Sequence, residues 1–268
     1  MLTAIKQFIK TNAALKRLAL WLMRVWEPLF PPTTLRAILM YPRFFSEWLK
    51  FRAAGGTAAA LDWYPCLFDR TASTAFDTHY LYQAAWAARH ICEARPPRHV
   101  DVGSDLRFVT QLAAFTEVEF IDIRPPEIRL QGFTVRPGSI TQLPHPDASV
   151  ASLSSMHVIE HIGLGRYGDP ILAGGPDLAC REIVRVLQSG GLAYISVPIG
   201  IRPKVGFNSQ HFFDPREFAA RFPGCEVLHF AMIDTDGTFS AQADLGAAAL
   251  KAGGSLDYGL GMYVLRKR

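Results

Sequence analysis

From Arg98 onward the chain alternates short apolar runs with amphipathic stretches, and only a few residues separate one from the next. "RHVDVGS" reads as a buried strand ending in a glycine turn, "DLRFVTQLAAF" as a helix, "VEFIDIR" as a second strand and "FTVRPGSI" as a short third. "SVASLSS" reads as a fourth strand, "DLACREIVRVLQSGG" as a helix with a glycine stop, and "LAYISVPIG" as a fifth strand. "DPREFAARFPG" reads as a helix, and the strands "CEVLHFAMID" and "YGLGMYVLRK" follow, separated by an Ala/Gly-rich loop. Strands and helices alternating at this spacing imply a parallel sheet covered on both faces. The last two strands have no clear helix between them, which predicts an antiparallel edge pair. The expected fold is therefore α/β: a Rossmann-like, doubly wound sheet whose last strand is antiparallel. No internal repeat is visible.

Such a sheet needs a core, and 49% hydrophobic against 19% charged residues can build one. The 268 residues suffice for one large α/β domain or a medium domain with an appendage. We place an N-terminal helical extension at residues 1–60 and the α/β domain at 61–268. Lys6, Lys10, Arg17 and Arg24 fall within roughly 40° of one another at about 100° per residue, opposite Phe8, Leu15, Leu18, Leu22, Val25 and Trp26. Two readings of this basic amphipathic helix stay open: packing on protein, its own domain or a sister subunit, or peripheral contact of residues 1–27 with an anionic membrane. "LALWLMRVW" is interrupted by Arg24 and far short of the ~20 residues needed to span a bilayer. No cleavage site follows it, so a secretory signal is rejected.

Pro28, Pro31 and Pro32 end that helix, and "TTLRAILMYPRFFSEWLKFRAA" forms a second, broken or kinked near Pro42 and running to Gly55-Gly56. "LDWYPCLFDRTAST" is a loop, and Asp77 is the expected N-cap of a helix through "THYLYQAAWAARHICEA". A net charge of +4 is too mild to imply nucleic acid. Cys66, Cys92, Cys180 and Cys225 are scattered without a C-x-x-C pair, and read as reduced, mostly buried thiols of a cytoplasmic protein.

"SSMHVIEHIGLGRYGD" holds His157, Glu160 and His161 in the order H-x-x-E-H, the zinc signature of one peptidase class. That signature needs a long helix. Here a strand feeds directly into His157, and "GLGRYGDP" breaks any helix after Ile162, so no metal is expected. In an open α/β sheet, ligands bind beyond the carboxyl ends of the strands. Asp101 and Gly103 lie at the first such end, Asp122 ends the second strand 19 positions after Gly103, and Ser154–His157 end the fourth. A glycine turn with an acid about 20 residues on holds a nucleoside, the carboxylate accepting the ribose hydroxyls. "GSDLRF" lacks the further glycines that a pyrophosphate dinucleotide needs, so a nucleoside without phosphates fits better, of which S-adenosylmethionine is the common one. The alternative is a glycine turn and a strand-end aspartate with no ligand.

"PGSITQLPHPDASVASLSSMHVIEHI", "EIVRVLQSGGLAYISVP" and "QHFFDPREFAARFPGCEV" together resemble class I S-adenosylmethionine-dependent methyltransferases over about residues 98–230. "FDTHYLYQAAWAARHI", "HVDVGSDLRF", "IDIRP" and "EHIGLGRYGDPI" resemble an uncharacterised branch of that superfamily, a domain of unknown function associated with surface-glycan biosynthesis. The resemblance implies cofactor contacts from Asp101, Gly103, Ser104, Asp122, Ser139, Ile140, Ser155 and Met156. It places His157, Glu160 and His161 facing the substrate, where one would act as base toward a hydroxyl. The family's D-x-G-x-G-x-G loop is reduced to Asp101 and Gly103, followed by Ser104 and Asp105, and Ser139 replaces the acid that contacts adenine.

"GLGRYGDP" offers Arg166, Tyr167 and Asp169 to a polar substrate such as a sugar, with an Arg–Asp staple of the loop as the alternative. Asn208 and His211 would face the same cleft, and Asp77, His79 and Tyr80 would close it. The expected function is methylation of an oxygen on a sugar or glycan precursor. The alternative is a catalytically silent protein of the same fold that binds a ligand or partner.

Overall fold

The computed structural model describes residues 33–60, 63–200 and 204–268. The chain divides into two compact units between Ala75 and Phe76. The basic helix expected in residues 1–27 lies outside the described residues.

In the first unit, α1 (Thr33–Ala53) continues past Pro42, so of the break or kink expected there the break does not occur. Proline removes one N–H and clashes with one turn, a cost of about 3 kcal/mol that a long helix can absorb. It ends in a Schellman closure: Gly56 N–H donates to Phe51 O at 2.9 Å, and Gly55 N–H donates to Arg52 O at 3.0 Å. Gly55 carries the left-handed φ of +93° that this closure requires. Phe44, Phe45 and Trp48 pack around Trp63, with centroids 6.0, 5.1 and 5.2 Å away.

The second unit opens with α2 (Thr78–Ala94), capped by Asp77, whose side chain accepts from Tyr80 N–H at 3.0 Å. It continues through β1 (Arg98–Val102), α3 (Leu106–Leu112), β2 (Glu117–Asp122), β3 (Phe133–Pro137) and β4 (Val150–Met156). A 3-10 turn (Ile159–His161), α4 (Gly175–Val186) and β5 (Leu187–Ile199) come next. The hairpin β6 (Lys204–Gly206) and β7 (Gln210–Phe212) precedes α5 (Pro215–Ala219), β8 (Cys225–Ile233), β9 (Phe239–Ser240), α6 (Leu245–Ala252) and β10 (Gly259–Lys267). The main sheet has the order β3-β2-β1-β4-β5-β10-β8-β9. β1 to β5 are parallel, and β10 runs antiparallel to both β5 and β8. This is the Rossmann-like doubly wound sheet, with an antiparallel last strand, that the alternation predicted.

Three details differ from that expectation. β10 is interior, not half of an edge pair, because Gly259–Leu265 is buried on both faces while the first half of β8 is not. A helix, α6, occupies the Ala/Gly-rich loop, with Asp244 accepting from Ala247 N–H at 2.7 Å. Alanine is the best helix former, and a single Gly246 does not cancel that run. Finally, α4 stops at Val186 and "LQSGG" is already strand, bulged where the register shifts between Val150 and Ser152.

Period-2 alternation divides the sheet's apolar side chains between two cores. Val100, Val102, Ile195, Val197, Tyr263 and Leu265 face Ile183 of α4, Phe218 of α5 and Ala248 of α6. Phe120, Tyr194, Met262 and Val264 face Trp86 and Ile91 of α2 and Phe108 and Leu112 of α3. All four cysteines are free, but only Cys180 is buried; Cys66 and Cys92 are exposed, contrary to the expectation of mostly buried thiols.

Candidate functional site

The carboxyl ends of β1, β2 and β4 enclose a cavity of about 210 Å³. Gly103 turns the chain out of β1 with φ +73°, its N–H donating to Ile121 O at 2.9 Å. A Cβ there would sit 3.2 Å from Val158 Cγ1 and 3.9 Å from Asp122 Oδ2, so the missing side chain is part of the cavity. Asp122 Oδ1 accepts from Arg124 N–H at 2.7 Å, which orients the carboxylate at the cavity wall. Val102, Ile121, Ile123 and Ile140 give the cavity an apolar side, with Ser139 beside Ile140. Ser139 Oγ and Thr141 Oγ1 share a 2.8 Å hydrogen bond.

Asp101 does not line this cavity. It is fully buried, accepting from Ser104 N–H at 3.1 Å, from Ser104 Oγ at 2.7 Å and from Ser154 Oγ. His99, also fully buried, bridges Ser152 Oγ and Ser154 Oγ at 2.8 Å on each side. Burial pushes the Asp101 carboxyl up to about 7, against the hydrogen bonds from Ser154 and Ser104, and pushes His99 down to about 3. Ser104 Oγ also accepts from Met156 N–H at 2.9 Å, tying β1 to β4. Ser104, next to the turn glycine, thus joins a buried network that holds the loop.

β4 delivers His157 in a left-handed conformation, φ +58°, unusual outside glycine and a source of local strain. Its N–H is fixed by Ser196 O at 3.1 Å and Ser196 Oγ at 3.0 Å, and Ser196 Oγ donates to Gln83 Oε1 of α2 at 2.6 Å. His157 Nδ1 lies 2.5 Å from Glu160 Oε1, and Glu160 is fully buried. Facing a carboxylate, Nδ1 carries the proton, which leaves the Nε2 lone pair free. Nε2 has no hydrogen-bond partner among the described residues, and neither does Glu160 Oε2. The His157 ring stacks on His79 at 5.5 Å and on Tyr80 at 5.2 Å. Burial pushes His79 down to about 4 and the Tyr80 phenol up to about 12, so both are neutral near pH 7. His161 Nδ1 donates to Ser209 O at 2.6 Å, and burial lowers the pKa of this ring as well.

Of the residues singled out in the sequence, Gly103, Ser104, Asp122, Ser139, Ile140, Met156, His157, His161, Tyr167 and Asp169 surround this one cavity. Asp101, Ser155 and Glu160 stand behind its wall instead; Ser155 is fully buried and donates to Val102 O at 3.0 Å. Asn208 occupies the β6–β7 turn with φ +60°, the left-handed position a hairpin turn requires. His211 donates to Glu160 O at 2.8 Å and lies outside the cavity wall. Arg166 reaches Ser209 O at 3.3 Å and stacks over Tyr167 at 5.0 Å, also outside that wall. Asp169 staples the glycine loop through backbone, accepting from Gly163 N–H at 2.9 Å and Tyr167 N–H at 3.2 Å, rather than by pairing with Arg166.

The sequence reading missed His99, Gln83, Ser196 and Arg124, whose guanidinium sits 4.5 Å from the Tyr167 centroid. His99 and Ser196 left a trace, each as a polar residue inside an apolar strand. The H-x-x-E-H stretch forms a 3-10 turn, and among the described residues no three His, Cys, Asp or Glu are placed to hold a metal ion. No described helix is long and apolar enough to cross a membrane.

Residues 147–267 match the family model described as "Caenorhabditis protein of unknown function, DUF268". No curated protein matches the chain. Among solved structures, the chain is similar to the [4+2]-cyclase SpnF at 16% identity, covering 85% of this chain and 94% of that one with a TM-score of 0.48. It is similar to the N-methyltransferase NodS from Bradyrhizobium japonicum WM9, in complex with S-adenosyl-L-homocysteine, at 12% identity, 71% and 87% coverage and TM-score 0.48. A third is geranyl diphosphate C-methyltransferase from Streptomyces coelicolor A3(2), at 11% identity, 69% and 77% coverage and TM-score 0.47.

Proposed function

We propose that this protein is an S-adenosylmethionine-dependent methyltransferase that methylates a hydroxyl oxygen on a sugar or glycan precursor. The observation that carries the reading is the cavity at the ends of β1, β2 and β4, where the absent Gly103 side chain faces the oriented Asp122 carboxylate and His157 stands in the same wall. The residues fit a nucleoside with a thioether tail. Asp122 would accept from the ribose hydroxyls, Ile140 and its apolar neighbours would cover adenine with Ser139 at its edge, and Met156 would lie along the tail. When bound, the cofactor supplies an electrophilic methyl group on a sulfonium.

In that transfer His157 Nε2 would take the acceptor's hydroxyl proton. Glu160 holds Nδ1–H and offsets the imidazolium charge that results, the role a buried carboxylate plays behind a catalytic histidine. Ser196 and Gln83 fix the strained backbone that aims the ring. Alignment of nucleophile and methyl contributes besides the base.

Calorimetric titration with S-adenosylmethionine and S-adenosylhomocysteine tests the cofactor. Charge-assisted bonds from Asp122 are worth roughly 1.5–3 kcal/mol, so Asp122→Ala should weaken binding by about 10- to 150-fold with the fold intact. Folded wild-type protein that binds neither ligand at millimolar concentration refutes the reading and leaves the silent alternative.

A further inference from the structure

His157 and Tyr80 are walls of two cavities. Behind them, away from Gly103 and Asp122, lies a second cavity of about 410 Å³ formed by the start of α2, the turn after β8 and Tyr258. Its walls carry Asp77, Asp234 and Asp236 and no lysine or arginine. His79, also in the wall, is held neutral with its pKa near 4, and burial raises the phenols of Tyr80 and Tyr258. Asp234 and Asp236 are held below the usual carboxylate range, the first by the Lys251 ammonium 2.7 Å away and the second by hydrogen bonds from Thr238. The surface is therefore anionic on balance, with neutral phenol donors and aromatic faces, and His157, whose buried Nε2 has no partner among the described residues, lines both cavities.

We infer that this second cavity is the acceptor site, and that it selects an uncharged acceptor bearing several hydroxyl groups while rejecting phosphorylated or carboxylated ones. The inference rests on the proposed methyl transfer, and it moves the acceptor away from the "GLGRYGDP" loop. Carboxylates accept hydrogen bonds from hydroxyls, and the tilted rings of His79 and Tyr258, 4.9 Å apart, offer faces to the C–H side of a polyol. A phosphate or carboxylate would meet the carboxylates of Asp77 and Asp236 and an Asp234 whose charge Lys251 already offsets, a cost of about 1 kcal/mol for each of the first two charges even at 4 Å in bulk water. A hydroxyl nucleophile also explains the base. It must lose a proton to His157 Nε2, whereas a carboxylate or phosphate oxygen has none to lose at neutral pH.

Saturation-transfer NMR on the full chain, without cofactor, tests this. The probes are millimolar methyl glucoside, galactoside and mannoside, the corresponding hexose 6-phosphates and hexuronates, and glucosamine. The expected result is transfer to at least one neutral hexoside, weakened about tenfold by Tyr258→Ala, the worth of one aromatic face. Asp236→Asn, on the exposed turn, should narrow the gap between the neutral hexoside and its 6-phosphate without lowering the melting temperature. Binding of a 6-phosphate or uronate as strong as that of its neutral parent overturns the inference. So does binding confined to glucosamine, a signal lost in Tyr167→Ala rather than Tyr258→Ala, or a folded protein that receives no transfer from any neutral hexoside. Failure of the calorimetric cofactor test with sugar binding intact would strike the methyltransferase reading alone.

Discussion

The two cavities that meet at His157 are built in opposite ways. The first is made by strand ends and backbone: a glycine without a side chain, a carboxylate fixed by its own chain and a loop held by the buried His99–Ser154–Asp101–Ser104 network. The second is made by side chains from three distant segments, residues 76–80, 234–237 and Tyr258, and the hydrogen bonds that hold its carboxylates are exposed. A cavity of the first kind is set by the fold and suits a ligand that does not vary. One of the second kind can change its lining without disturbing the sheet. Cofactor and acceptor make these two different demands.

The largest expected effect tests that division at its shared wall. On an acceptor found by the NMR panel, His157→Ala should lower kcat by about 10²- to 10⁴-fold, the usual worth of a positioned base. The S-adenosylhomocysteine affinity should stay within a few-fold of wild type. A matching loss of cofactor affinity would make His157 a part of the first cavity only.

The next effect concerns the buried network. Asp101 has a pKa of about 7 in the folded protein against an ordinary value of 3.8, so between these pH values the folded state keeps a proton that the unfolded state has lost. Its contribution to stability is complete below the unfolded value and falls as pH rises toward 7, by about 1.4 kcal/mol for each pH unit. Asp101→Asn should flatten that part of a denaturation profile measured from pH 4 to 8. A profile unchanged by the substitution would remove the titrating network as the support of the first cavity.

How legible each cavity is in the sequence follows from the same contrast. Gly103 and Asp122 could be read because a turn and a strand end have local signatures at a fixed separation. His157 could be read because it follows β4 directly. Tyr258 and Asp234–Gly237 could not, since β10 carries Tyr258 to the site by inserting between β5 and β8, a placement visible only once the strand order is known. Asp101 and Ser155 were given as cofactor contacts by the resemblance, which carries no information on which way a side chain faces. Both point into the sheet's packing, where Asp101 meets Ser154 and Ser155 meets the Val102 carbonyl. The Ala-rich α6 shows the same limit: a run without polar punctuation was read as loop although its propensity is helical.

Gly103→Ala probes the backbone character of the first cavity with a single methyl. The left-handed φ costs a non-glycine residue about 1–2 kcal/mol, and the new carbon crowds Val158 at 3.2 Å. Melting temperature should fall accordingly, and S-adenosylhomocysteine affinity should drop about tenfold. Hexoside binding in the second cavity should persist. Loss of both ligands together would mean that the cavities are one site.

The smallest effect separates two roles of one residue. Asp77 caps α2 through Oδ1 and also lends its charge to the second cavity. Asparagine caps a helix about as well as aspartate, so Asp77→Asn should leave stability within about 0.5 kcal/mol, whereas Asp77→Ala should cost about 1 kcal/mol. Removing the Asp77 charge, one of the two that Lys251 does not offset, should relax discrimination against a hexose 6-phosphate by about fivefold, the equivalent of 1 kcal/mol in a solvated cavity. The neutral hexoside should bind nearly as before, because the asparagine carbonyl still accepts a hydrogen bond. If Asp77→Asn leaves the ratio of neutral to phosphorylated ligand unchanged, while Asp236→Asn alters it, the charge that sets selectivity belongs to the turn after β8, and the start of α2 contributes only shape.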